Sequence, residues 1–142
     1  MRSRHLSVRV EPNIFERLDA ESRHAGLTIS ELARSLIDEG LRMQFHSGIV
    51  FRSGPAGRRA VLVGGPDVWE VARVFKQLEG EEEQRAERTA ELTGLNREQV
   101  VAAACYYAEY PDEIDDRIQR VDEEADRAET RWQRTRQLLG SR

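Results

Sequence analysis

Arg4-His5-Leu6-Ser7-Val8-Arg9-Val10 alternates polar and apolar side chains along its whole length. With a period of two, Leu6, Val8 and Val10 fall on one face of a strand and His5, Ser7 and Arg9 on the other. A strand this short is not stable alone, and only two helical patterns follow it before His46. The expected partner is therefore a second copy of the same strand, paired antiparallel. A two-stranded ribbon of this kind fits the DNA major groove and would present His5, Ser7 and Arg9 twice.

Pro12 suits the first turn of a helix, where its missing N–H costs nothing. That helix is expected from Pro12 to about Ala25, with Ile14, Leu18 and Ala25 on a common side and Phe15 adjoining it, and Gly26 stops it in the left-handed conformation. Thr28-Ile29-Ser30-Glu31 reads as a capping box opening a second helix. Ile29, Leu32, Ala33, Leu36, Ile37, Gly40 and Leu41 then form an apolar stripe too wide for an isolated helix. One strand and two helices fall near the threshold of about 40 to 60 residues below which a domain does not fold unaided, so dimerisation is a requirement of this reading.

Residues 4–43 resemble the ribbon-helix-helix module of small bacterial repressors and antitoxins: alternating strand, Pro-started helix, Gly-Leu-Thr-x-Ser turn, amphipathic second helix. The resemblance implies that His5, Ser7 and Arg9 enter the major groove, with Arg4 near the backbone. It also implies that Thr28, Ile29 and Ser30 grip a phosphate, in line with the anion preference of helix N-termini. Arg9 is the residue best suited to guanine, by a bidentate contact.

Charge is unevenly distributed. Residues 1–43 carry seven basic and seven acidic side chains, residues 44–79 five and three, and residues 80–142 ten and sixteen. A contact with DNA is thus expected from the front of the chain. The single cysteine, Cys105, excludes an intramolecular disulfide framework; with no signal-like apolar run and no membrane-length apolar stretch, a cytoplasmic protein is expected. Three parts are expected: 1–43 for DNA binding and dimerisation, 44–110 as a hairpin with a helix-turn-helix-like domain, and 111–142 as a long partner-binding helix.

Ile49-Val50-Phe51 and Ala60-Val61-Leu62-Val63 flank the turn formers Ser53-Gly54-Pro55-Ala56-Gly57, which predicts a β-hairpin. Arg52, Arg58 and Arg59 are too small a patch to argue a phosphate site and read as a solvated hairpin tip. Gly64-Gly65-Pro66-Asp67 lacks the spacings of a nucleotide fingerprint and reads as a turn into a helix carrying Val68, Val71, Ala72, Phe75 and Leu78. Trp69 belongs to the core or to a dimer contact. A helix from Glu81-Glu82-Glu83 ends at Thr93-Gly94, and Asn96-Arg97-Glu98-Gln99 caps the next. This helix-turn-helix outline carries one Arg against Glu98 and Glu109 on its second helix, so it is expected to pack rather than read DNA.

His46-Ser47-Gly48-Ile49-Val50-Phe51, Gly57-Arg58-Arg59, Gly65-Pro66-Asp67-Val68-Trp69 and Ala104-Cys105-Tyr106-Tyr107 through Tyr110-Pro111-Asp112-Glu113-Ile114 together resemble a bacterial antitoxin domain family. That family has a helix-turn-helix-like core and is encoded beside PIN-like ribonuclease toxins; Ser47 stands where it would have proline. From Pro111 a heptad seam runs through Ile114, Ile118, Val121, Ala125, Ala128, Trp132, Thr135 and Leu139. Such a helix suits a groove on a partner, with Trp132 as anchor; alternatively it packs on its own dimer mate or folds back on the preceding helices. Ile118, Val121, Trp132 and Leu139 are the seam residues expected to meet a partner, and Arg131, Arg134 and Arg136 are candidates to reach the acidic metal site of a toxin.

Scattered histidines, a lone Cys105 and acidic runs without ligand-spaced His give no catalytic, metal or cofactor site. The expected fold is mainly α with a short intermolecular β-ribbon and a β-hairpin. The expected function is a homodimeric type II antitoxin that neutralises a PIN-like ribonuclease toxin and binds its own operator DNA. The alternative is a stand-alone ribbon-helix-helix repressor whose C-terminal domain oligomerises or senses a ligand.

Overall fold

The computed structural model describes residues 2–140. It is mainly helical, with one antiparallel hairpin: α1 (Pro12–Ala25), α2 (Ile29–Phe45), β1 (Ile49–Gly54), β2 (Gly57–Leu62), α3 (Val68–Gln77), α4 (Glu82–Thr93), α5 (Arg97–Glu109) and α6 (Pro111–Gly140). No described helix is long and apolar enough to cross a membrane.

The helix ends follow local chemistry. Gly26 takes φ 68°, and the Leu27 amide returns to the Ser22 carbonyl at 2.9 Å, closing α1. The Thr28 box forms: Glu31 N–H donates to Thr28 Oγ1 at 3.1 Å, and Thr28 N–H to the Glu31 carboxylate at 2.9 Å. Asn96 and Gln99 repeat the exchange at the start of α5. Asp67 precedes α3 without capping it, because its carboxylate is taken by Arg59 Nε at 2.6 Å and Trp69 Nε1 at 3.1 Å.

β1 and β2 pair from Ile49↔Leu62 to Gly54↔Gly57, leaving Pro55-Ala56 as a two-residue loop. Gly57 supplies the positive φ, 97°, that this tight connection needs. The turn is shorter than the five-residue cluster expected, and Val63 lies outside the strand, exposed.

The core gathers Ile49, Ala60 and Leu62 from the hairpin, Val68, Val71 and Ala72 from α3, Ala103 and Tyr106 from α5, and Ile114 from α6. Trp69 packs against this cluster. The α4–α5 hairpin is held by buried Ala86, Thr89 and Val100. Arg85 closes α4 onto α3 by donating to the Phe75 carbonyl at 2.9 Å with its guanidinium 4.1 Å from the Phe75 ring centre.

Only the first part of α6 is packed. Ile114 is buried, Ile118 lies against the core and Val121 is half-buried, while every residue from Glu123 to Gly140 is exposed. Lys76–Asp115 at 2.6 Å and Arg73–Asp122 at 2.8 Å clamp that first part to α3. These two aspartates thus hold elements together.

Candidate nucleic-acid and partner interfaces

Residues 4–10 make no β-ladder among the described residues, and all of them are exposed. Leu6 and Val8 are 67% and 68% exposed, and Val10, Ile14 and Phe15 remain open beside them. On α2, Leu36, Ile37, Leu41, Met43 and Phe45 are exposed as well. Among the apolar side chains of residues 4–45, only Leu32 is buried. One copy of this module therefore has amphipathic elements and almost no core of its own, although the Gly26 stop of α1 and the Thr28 capping box of α2 are both formed.

The polar face of the arm, His5, Ser7 and Arg9, is exposed together with Arg4. At the start of α2 the capping box engages the amides of Thr28 and Glu31 and leaves those of Ile29 and Ser30 for an outside acceptor. The Glu31 carboxyl is held below its ordinary value by the Thr28 backbone and hydroxyl, so it stays anionic while fixing the cap. The residues that the ribbon-helix-helix resemblance names are thus all at the surface, with Ile29 half-buried.

The residues named for partner binding divide in two. Ile118 and Val121 are engaged within the chain, because the seam lies over the core as far as Asp122. Trp132 and Leu139 are 60% and 79% exposed, and Arg131, Arg134 and Arg136 are exposed around them. What α6 offers to a partner is therefore its outer part alone.

A polar junction that the sequence reading missed joins α2 to the rest of the chain. Arg42 donates to the Tyr106 hydroxyl at 2.8 Å and to Glu113 at 3.1 Å, pairs with Asp38 at 2.9 Å, and lies 3.9 Å from the Tyr110 ring centre. Tyr106 donates to Glu113 at 2.7 Å. His46 Nε2 meets Glu109 at 2.7 Å, and Glu39 receives Arg58 Nε at 2.5 Å. Burial, then the neighbouring Glu113 carboxylate, pushes the Tyr106 phenol well above its ordinary value and keeps it neutral. Burial alone would weaken the Arg42 cation, but Tyr106, Glu113 and Asp38 outweigh it and hold the charge.

The hairpin arginines are accordingly not a solvated tip. Arg58 is committed to Glu39 and Arg59 to Asp67; only Arg52 of the three is fully exposed. Acidic partners 19 and 8 positions away give no periodic signal, so nothing in the sequence pattern marked these pairs.

No protein-family model, curated protein or solved structure matches the chain.

Proposed function

We propose that this chain is a homodimeric DNA-binding protein of the ribbon-helix-helix kind that serves as the antitoxin of a type II toxin-antitoxin system, binding its own operator DNA and holding a PIN-like ribonuclease toxin. The observation that carries the reading is the exposure of most apolar side chains between Leu6 and Phe45 in a single copy. An unpaired alternating segment followed by two helices with almost no core between them is what one half of an intertwined dimer leaves behind. Pairing of two arms would bury Leu6, Val8 and Val10 and turn His5, Ser7 and Arg9 outward twice, while the amides of Ile29 and Ser30 would receive a backbone phosphate.

The toxin-binding role is assigned to the outer part of α6, where Trp132, Leu138 and Leu139 are exposed and no acidic residue follows Glu129. Its support is the exposed apolar seam with a basic rim, suited to an acidic-edged groove. The second reading, a stand-alone repressor with a sensing domain, draws on the arginine-lined cleft described below.

The test is a DNA-shift titration of the full chain and of Arg9→Ala, on DNA upstream of its own gene and on a scrambled duplex. The wild type is expected to prefer its upstream DNA, with Arg9→Ala losing that preference by about 1–3 kcal/mol, roughly five- to 150-fold. Equal behaviour of the two proteins on the two duplexes refutes the ribbon as the reader.

A further inference from the structure

Between the tip of the β-hairpin and the first turns of α6 lies a cleft of about 460 Å³, within the size range of small-molecule sites. Its walls include Gly54–Gly57 of the loop, Trp69 of α3, and Asp116, Arg117 and Arg120 of α6. Arg58 and Arg59 also line it, but their charge is spent on Glu39 and Asp67.

Arg117 and Arg120 are different. Each has an acidic residue four positions before it, Glu113 and Asp116, the spacing at which helical ion pairs form. Neither pair forms: Glu113 is held by Arg42 and Tyr106, and among the described residues Arg117 and Arg120 have no ion pair. The Arg117 Nε is moreover buried without a hydrogen-bond acceptor. Two other arginines have a buried, unpaired Nε, but Arg42 and Arg85 use their terminal nitrogens on Tyr106 and Phe75, whereas among the described residues Arg117 has no partner at any nitrogen. With no acidic partner of their own, these two side chains are left to meet an oxyanion in the cleft that they line.

We propose that this cleft binds a nucleoside monophosphate, its phosphate held by Arg117 and Arg120 and its base against Trp69. Two arginines about one turn apart on α6 and lining the same cleft suit the tetrahedral dianion through forked hydrogen bonds. The Trp69 indole offers a flat apolar wall that a bare phosphate would leave unused. Asp116, at the same cleft, repels an anion placed directly on it but accepts from a ribose hydroxyl or a base amino group, which favours a nucleotide over inorganic phosphate. The site draws nothing from the N-terminal arm and stands or falls independently of DNA or toxin binding.

The experiment uses the full chain in the Trp132→Phe background, where Trp69 is the one remaining tryptophan, titrated with adenosine monophosphate and, separately, with inorganic phosphate. Adenosine monophosphate is expected to change Trp69 emission saturably and to bind at least about tenfold more tightly than phosphate, with Arg117→Gln and Arg120→Gln each weakening it by about tenfold or more. Arg120 is exposed, so Arg120→Gln keeps the fold intact and carries the test even if Arg117→Gln perturbs the helix. No saturable change in emission, binding retained in Arg120→Gln, or equal affinity for phosphate and adenosine monophosphate overturns the proposal.

Discussion

Val8→Ser is the sharpest perturbation of the dimer. Val8 is 68% exposed in the single chain. Burying a whole valine side chain is worth about 1.5–3 kcal/mol, so covering the open part by a second strand contributes roughly 1–2 kcal/mol per copy. Twofold symmetry counts the substitution twice, giving about 2–4 kcal/mol, a loss of roughly 30- to 700-fold in dimer affinity. Sedimentation velocity across a concentration series reads this directly. The wild type is expected to run as a dimer, and Val8→Ser to move its monomer–dimer midpoint to higher concentration by that factor. Ser7→Ala, on the opposite face, should leave the midpoint in place. A wild-type chain that stays monomeric throughout, or a Val8→Ser midpoint equal to the wild type's, refutes the strand as a dimer seam.

Tyr106→Phe deletes the hydroxyl between Arg42 and Glu113 while keeping the ring against His46, Phe51 and Tyr110. A loss of about 2 kcal/mol is expected from hydrogen bonds to charged groups, lowering the melting temperature by about 4–8 °C; a shift under about 1 °C counts against the junction. Hydrogen bonds from Lys76 and then Tyr107 hold the Asp115 carboxyl below its ordinary value of 3.8, so it binds fewer protons folded than unfolded. Its contribution is present above that value and fades as pH falls through the lowered one; melting curves of Asp115→Asn should accordingly flatten below about pH 4 relative to wild type, and parallel curves would exclude the contribution. Trp132→Ala should leave the melting temperature unchanged, since Trp132 is 60% exposed, yet weaken co-purification with a co-expressed ribonuclease partner; undiminished capture would remove Trp132 from that interface.

The helix boundaries were legible because their signals are local. Gly26, Thr28 with Glu31 and Asn96 with Gln99 act across three or four positions, and the structure has each of them in place. The hairpin was legible from its two apolar runs, though the turn closes with two residues rather than five. The ties between elements were not. Arg42 reaches Tyr106 and Glu113 across 64 and 71 positions, and no periodicity announces which of 21 arginines will be buried in such a junction. The seam of α6 was readable as a pattern, but the place where it leaves the body depends on the length of α3 and the clamps at Asp115 and Asp122. Nor does any local signal show that α2, which continues to Phe45, carries three anchors to the rest of the chain, at Glu39, Arg42 and, at its cap, His46.

Because α2 passes unbroken from the coreless module into those anchors, it works as a drive shaft rather than a tether. The direction in which the arm leaves α1 is keyed in azimuth to the hairpin and α5. One alanine inserted after Ile37 would advance everything before it by about 100° around the helix axis, and four would nearly restore the original phase. The angle between the N-terminal module and the body is therefore written into the number of residues in α2, and it changes in steps.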